Sequence, residues 1–442
     1  MRKISLIGAM LLIVSNLTFA GDYLTNTNQN AAFLRMVARG ASIDIDGVYT
    51  NPAGLAFIPR DGFQLSFTVQ SAYQTRDIKS TFPLFPEEGH TRRYEGEASA
   101  PVIPSLFAVY KKGNWALSGS FAVVGGGGKA SFDKGLPMFD ALVMSSISKA
   151  TQGTITPDKY AIVSAMDGRQ FIYGVQLGAS YRVNDWLSVF GGGRMNYFKG
   201  GYEGFLNANL KQNGAELAGI ELDCDQTGWG LTPIIGVDAK FGKLNLAAKY
   251  EFMTSLNLEN KTKKAEVRQS GQAIPMNETN PLAAYSDGVN TPSDIPAVLS
   301  VAAGYEFLPS LRASVEYHFF DDKNAGMANG KQKELKHGTY EYLAGVEWNV
   351  NKLITLSGGY QKTNYGLSDK FQSDTSFSCD SYSVGLGGRI NLSQALSLDV
   401  AYFWTTYSDY TKASPRGLDA SVDKDVYSRT NKVFGLGVNY KF

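Results

Sequence analysis

Fourteen short runs of alternating apolar and polar side chains fill the chain from residue 62 to its end. They span roughly 62–75, 102–111, 115–125, 170–183, 187–200, 231–241, 244–256, 296–307, 311–321, 340–350, 353–364, 380–391, 396–409 and 431–442. A period of two puts alternate side chains on opposite faces of a strand. In 171–183 one face carries Phe171, Tyr173, Val175, Leu177, Ala179, Tyr181 and Val183. The other carries Ile172, Gly174, Gln176, Gly178, Ser180 and Arg182. The connections alternate between turns such as Gly242-Lys243 or Asn351-Lys352 and much longer polar segments. Short turns at one end, long loops at the other and an even strand number mark an outer-membrane barrel. Lipid offers the backbone no hydrogen bonds, so the sheet must close and the last run must pair with the first. The expected fold is all-β, a 14-stranded antiparallel transmembrane β-barrel surrounded by outer-membrane lipids.

The rest of the chain fits this frame. A net charge of +1 gives no reason to expect a nucleic-acid partner. After residue 20 no apolar run is long enough for a membrane-spanning helix. Arg2 and Lys3, the apolar stretch Ile4 to Val14 and the small residues Thr18 and Ala20 predict a signal peptide over 1–20. The expected location is therefore the bacterial outer membrane, as a monomer. Residues 21–61 lack the alternation but are too apolar for a disordered tail, so they are read as a hatch inside the lumen of the 62–442 barrel. Cys224 and Cys379 lie in stretches read as loops, and their spacing leaves open whether they pair.

Three segments resemble the FadL-type outer-membrane transporters for long-chain fatty acids and other hydrophobic compounds, including the toluene-uptake proteins. They are GASIDIDGVYTNPAGLAF with its Asn51-Pro52-Ala53 signature, GWGLTPIIGVDAKFGKLNLAAKYEF and IPAVLSVAAGYEFLPSLRASVEYHFF. The resemblance implies an N-terminal hatch with Asn51, Pro52 and Ala53 in gating. It also implies passive, ligand-gated uptake of a hydrophobic small molecule such as a fatty acid, with lateral exit at a kinked third strand. Gly125, Gly126, Gly127 and Gly128 are the kink candidates. Related barrels in some bacteria serve protein secretion, which is the alternative function.

Ligand-binding candidates follow from face and composition. Arg194 lies among Gly191, Gly192 and Gly193 near Phe190 and Phe198, and its planar fork suits a carboxylate. Lys249 is a second lumen cation. The segment 131–153 is apolar for a loop; Leu136, Met138, Phe139, Leu142, Val143 and Met144 recur at helical spacing and are read as a capture surface for apolar ligand. Gly125–Gly128 followed by Lys129 lacks the remaining positions of a phosphate loop. Asp44-Ile45-Asp46-Gly47 starts like a calcium loop, but the twelfth position is Leu55, so no metal is expected. No nucleophile-and-base pattern points to an enzyme, and no cofactor is expected.

Overall fold

The computed structural model describes residues 25–277, 280–414 and 423–442. The expected signal peptide and residues 21–24 of the expected hatch lie outside them. One antiparallel sheet contains every strand. Its staves are β1 (Gly62–Thr81), β2 (Thr91–Lys112), β3 (Trp115–Phe132), β4 (Tyr160–Arg182), β5 (Leu187–Leu210) and β6 (Glu216–Phe241). Next come β7 (Leu244–Glu251, resuming as Asn257–Gln269) and β8 (Asn290–Pro292, resuming as Val298–Leu308). The last six are β9 (Leu311–Phe320), β10 (Thr339–Asn349), β11 (Ile354–Asn364), β12 (Ser381–Asn391), β13 (Leu396–Tyr407) and β14 (Lys424–Lys441). Tyr410–Ala413 extends β13 along β14, and Gln272–Ala273 folds back on β7. Fourteen staves result. β14 pairs with β1 from Gln64 opposite Lys441 to Thr81 opposite Lys424, so the sheet closes. The alternating C-terminal run has its partner.

Burial is inverted relative to a water-soluble protein. Lumen-facing Gln64, Ser66, Thr68, Gln70, Gln176 and Ser180 are buried, whereas Leu177 and Leu436 are 68% and 63% exposed. Lipid receives the apolar face and the lumen the polar one. At the short-turn end Trp115 stacks near Tyr181, Trp186 near Phe241, and Phe63 near Phe442, forming an interfacial aromatic belt.

Several strands run well beyond their sequence-predicted ends, and always at the long-loop end. β2 begins at Thr91 rather than 102, β4 at Tyr160 rather than 170, and β5 ends at Leu210 rather than 200. β6 begins at Glu216 rather than 231, which leaves only residues 211–215 between it and β5. Cys224 therefore lies within β6 rather than in a loop; both thiols are buried, and no disulfide joins them among the described residues. These projecting strands form an outer vestibule with its own core. Ile78, Phe82, Phe85, Tyr94 and Phe132 pack there against helix α2 (Pro137–Ala150).

Residues 25–58 sit within the barrel. Helix α1 (Ala31–Arg35) is capped by Asn30, whose side chain accepts the Phe33 N–H at 2.8 Å. It packs on β12, β13 and β14, while the 3₁₀ turns Ile45–Val48 and Ala53–Phe57 pack on β2 and on β4–β6. The wall makes room for it. A Cβ at Gly385 would lie 2.2 Å from the Leu34 carbonyl oxygen, and one at Gly359 2.8 Å from the Val37 nitrogen. These lumen glycines mark close approach of a second backbone.

Candidate functional site

Charge holds the inner segment to the wall at the short-turn end. Arg35 reaches Glu347 at 2.6 Å and Asp399 at 2.9 Å. Arg39 bonds Asp46 through two nitrogens, each at 2.7 Å, and Arg389 bridges Asp399 at 2.9 Å and Asp44 at 2.5 Å. Asp44 and Asp46, the start of the calcium-like motif, are thus committed to arginines. Nearby, Gly40 N–H donates to Glu316 at 2.7 Å, and His318 bridges Glu316 and Glu341 at 2.6 and 2.9 Å.

Asn51, Pro52 and Ala53 form one docking point. Asn51 Nδ2 donates to Asp238 at 2.6 Å, while its Oδ1 accepts the Gly54 N–H at 3.1 Å. The Pro52 carbonyl accepts from Ser180 at 2.6 Å and the Ala53 carbonyl from Ser188 at 2.7 Å. A Cβ on Gly54 would strike the Asn51 amide at 2.4 Å, so the signature continues into that glycine.

The expected carboxylate site is corrected. Arg194 and Lys249 are both buried, and both are paired with Glu251. Lys249 also donates to the Tyr49 carbonyl at 2.7 Å. The carboxylate these cations hold is the protein's own, because both neighbours of Glu251 on the lumen face converge on it. Phe190 packs on Ala53 and Ile234, against the inner segment. Phe198 packs with Ala122, Val124, Ile172 and Leu258. Neither lines the lumen cavity described below.

The expected capture surface is also corrected. Leu136, Val143 and Met144 point into the vestibule core, with 1%, 0% and 3% of their surface exposed. Met138 and Phe139 also pack against that core, and with Leu142 they make a small adjoining cluster. The helix is pinned rather than open. Met138 N–H donates to Asp374 at 2.7 Å, and Asp140 accepts from Arg92, Tyr94 and Ser164 at 2.9, 2.9 and 3.1 Å. Burial raises the Asp140 pKa, opposed by its bonds to Tyr94 and Arg92.

The glycine run, by contrast, lies at a break in the wall. Pairing of β2 with β3 stops at Ser99–Lys129 and resumes at Leu106–Phe121. Between these points 100–105 and 122–128 face each other without a ladder. Two causes act on opposite sides of the seam. Pro101 and Pro104 give β2 no N–H to offer. On β3 the register against β4 slips between Val123 and Gly125 and again between Gly125 and Gly128. Gly126 and Gly128 take φ of +96° and +79°, the left-handed region that favours glycine. Two extra residues in all leave the side-chain faces unchanged on either side.

A lumen cavity of about 200 Å³ reaches this seam. Ala100, Ile103, Val123 and Gly126–Gly128 line it there, and Phe33, Phe403 and Val433 line it opposite. The start of the inner segment closes the seam from within. Asn26 N–H donates to the Val124 carbonyl at 2.9 Å and its side chain to the Gly126 carbonyl at 3.1 Å. Gln70 secures Asn28 at 2.9 Å. Sequence reading placed the glycines but missed the prolines opposite, which the segment ASAPVIPS displays.

Comparison with known proteins agrees with this architecture. The outer membrane protein beta-barrel domain family matches residues 278–442. No curated protein sequence matches the chain. A Pseudomonas aeruginosa FadL homologue superposes with a TM-score of 0.68 at 16% identity, covering 95% of this chain and 99% of that one. The Ralstonia pickettii toluene transporter TbuX gives 0.55 at 15% identity, with 90% and 94% covered. The Pseudomonas putida toluene transporter TodX gives 0.55 at 14% identity, with 94% and 99% covered. The shared feature is the fold, over nearly the whole length of each chain.

Proposed function

We propose that this chain, an outer-membrane β-barrel with the fold of the FadL-type transporters, takes up hydrophobic compounds, long-chain fatty acids among them, by passive ligand-gated diffusion. The observation that carries this reading is the open β2–β3 seam beside the lumen cavity. A break in the ladder within the membrane is costly unless something fills it. Here the inner segment fills it, through the bonds of Asn26 to the Val124 and Gly126 carbonyls. A ligand entering from the vestibule occupies the cavity, displaces residues 25–29 from the carbonyls of Val124 and Gly126, and leaves sideways into lipid. Asn51, Pro52 and Ala53 hold the remainder of the segment against β4–β6, so the periplasmic end stays shut. The hatch thus serves as a plug while its first residues act as a latch. An apolar compound needs no aqueous exit on this route.

Deleting Gly126 and Gly127 tests it. Removing two residues cancels the bulges without flipping faces. The variant should remain a folded, heat-modifiable barrel and lose most uptake of radiolabelled oleate and toluene by cells. Undiminished uptake by a folded variant would reject the lateral route.

A further inference from the structure

We propose that the periplasmic mouth of the barrel docks an acidic segment of a soluble periplasmic protein, held by Arg60, Lys352 and Lys441. This goes beyond the uptake reading and does not depend on it. A cavity of about 610 Å³ opens at the short-turn end, where the inner segment leads into β1. Sites that hold a ligand typically measure about 300–1,000 Å³. The three cations reach it from separate parts of the chain. Arg60 follows the inner segment, Lys352 lies in the turn between β10 and β11, and Lys441 ends β14. Asn391, Ser393 and Gln394 add neutral polar groups, and no carboxylate side chain is among the described residues lining the cavity.

The acids nearby are already taken. Asp61 accepts from Lys111 at 3.2 Å and from the Gly113 N–H at 2.9 Å. Asp44 and Asp399 are held by Arg389, and Glu347 by Arg35, Arg39 and Arg312. Lys112, Arg182 and Lys243, in or beside the turns, are balanced by Asp185, Glu306 and the C-terminal carboxylate. Arg60, Lys352 and Lys441 are exposed, and among the described residues they make no ion pair. Acids outnumber cations over residues 21–442, so this positive surplus is local. An anionic partner relieves the repulsion among the three and is steered to them. Side-chain direction favours a soluble partner over lipid. Lys441 stands on the lumen face of β14 opposite the buried Gln64, whereas Phe442 turns to the lipid face against Phe63. Arg60 and Lys352 share the cavity with Lys441, so the site faces the mouth rather than the lipid phosphates outside the aromatic belt. Pro59 and the 47%-exposed Leu353 give it an apolar side, which suits a peptide that carries leucine among its acids.

The probe is a fluorescein-labelled peptide of repeated Glu-Glu-Leu, with Gln-Gln-Leu and Lys-Lys-Leu repeats as controls. Each is titrated by fluorescence anisotropy against full-length protein in nanodiscs of neutral lipid. The acidic peptide alone should bind, and 0.5 M NaCl should weaken it. Arg60→Gln, Lys352→Gln and Lys441→Gln should each weaken it about threefold, and the triple variant more than about tenfold, as for exposed charge pairs. Lys129→Gln, Lys263→Gln and Lys264→Gln together make the same charge change at the long-loop end and should leave binding unchanged. No binding by wild type, no loss in the mouth triple variant, or an equal loss in the outer one overturns the site. Displacement of the peptide by an equal concentration of short-chain phosphatidylglycerol would make the mouth a lipid site, and displacement by inorganic phosphate at constant ionic strength a small-anion site. Either result overturns the protein partner.

Discussion

Asn51 shows how much one short polar side chain can hold. Its amide donates to Asp238 and accepts from Gly54, and Asp238 is fully buried with Asn245 as its other donor, at 2.8 Å. Asn51→Leu removes a neutral donor from a buried carboxylate, a change worth roughly 1.5–3 kcal/mol. The expected result is a loosened plug and a raised small-ion leak in planar bilayers. Wild-type conductance would count against a plugging role. Asp322, in the turn beyond β9, gives a pH prediction. Burial raises its pKa from the ordinary 3.8 to about 7, opposed by its bonds with Thr339. A folded-state pKa above the unfolded one gives stability that is complete below about pH 4 and is lost as pH rises through 7. Asp322→Asn keeps an acceptor for Thr339 but cannot titrate. Wild type should therefore lose stability relative to Asp322→Asn between pH 5 and pH 8, by roughly 3 kcal/mol. Parallel pH curves for the two proteins, read from the temperature of the gel-mobility shift, would remove Asp322 as the cause.

At the scale of strands, legibility followed the solvent on the outer face. Where lipid lies outside, β4 alternates Val175 and Leu177 with Gln176 and Gly178, and its lower half was read correctly. Where water lies outside, both faces can be polar. Asn257–Gln269 presents Glu259, Lys261 and Lys263 outward, so nothing in its period marks a strand. The same holds for Thr91–Glu97 and for the outer part of β6. The seam was half legible. Gly125–Gly128 pointed to a kink, but a kink becomes a gap only because Pro101 and Pro104 stand across from it. That relation depends on register, which composition does not reveal. The lumen charges show the same limit. Alternation placed Arg194, Lys249 and Glu251 on the inner face, yet only the fold shows that the first two converge on the third. Helical spacing in 137–150 was sound as well; what it could not show was which side of α2 meets the vestibule core.

The whole molecule is two structures held by different forces. The barrel is closed by the continuous β1–β14 ladder and by lipid against Phe67, Leu177 and Leu436. The inner segment is held by buried charge, with Asp399 at its centre. Asp399 accepts from Arg35 and Arg389 at 2.9 Å and from Asn439 at 2.7 Å. If these forces are separable, releasing the plug should leave the barrel intact. Asp399→Asn tests this because it removes the carboxylate between two arginines while keeping the size of the side chain. Breaking one member of such a network typically costs roughly 3–5 kcal/mol. That loss should fall on the docking of α1, since the β13–β14 ladder at Asp399–Gly437 is made by backbone. The expected protein keeps its heat-modifiable mobility and β-sheet spectrum, while its bilayer conductance rises and fluctuates. A barrel that unfolds along with the loss of Asp399 would mean that plug and wall are one cooperative unit. Gating would then have to be confined to the few residues around Asn26 that touch the seam.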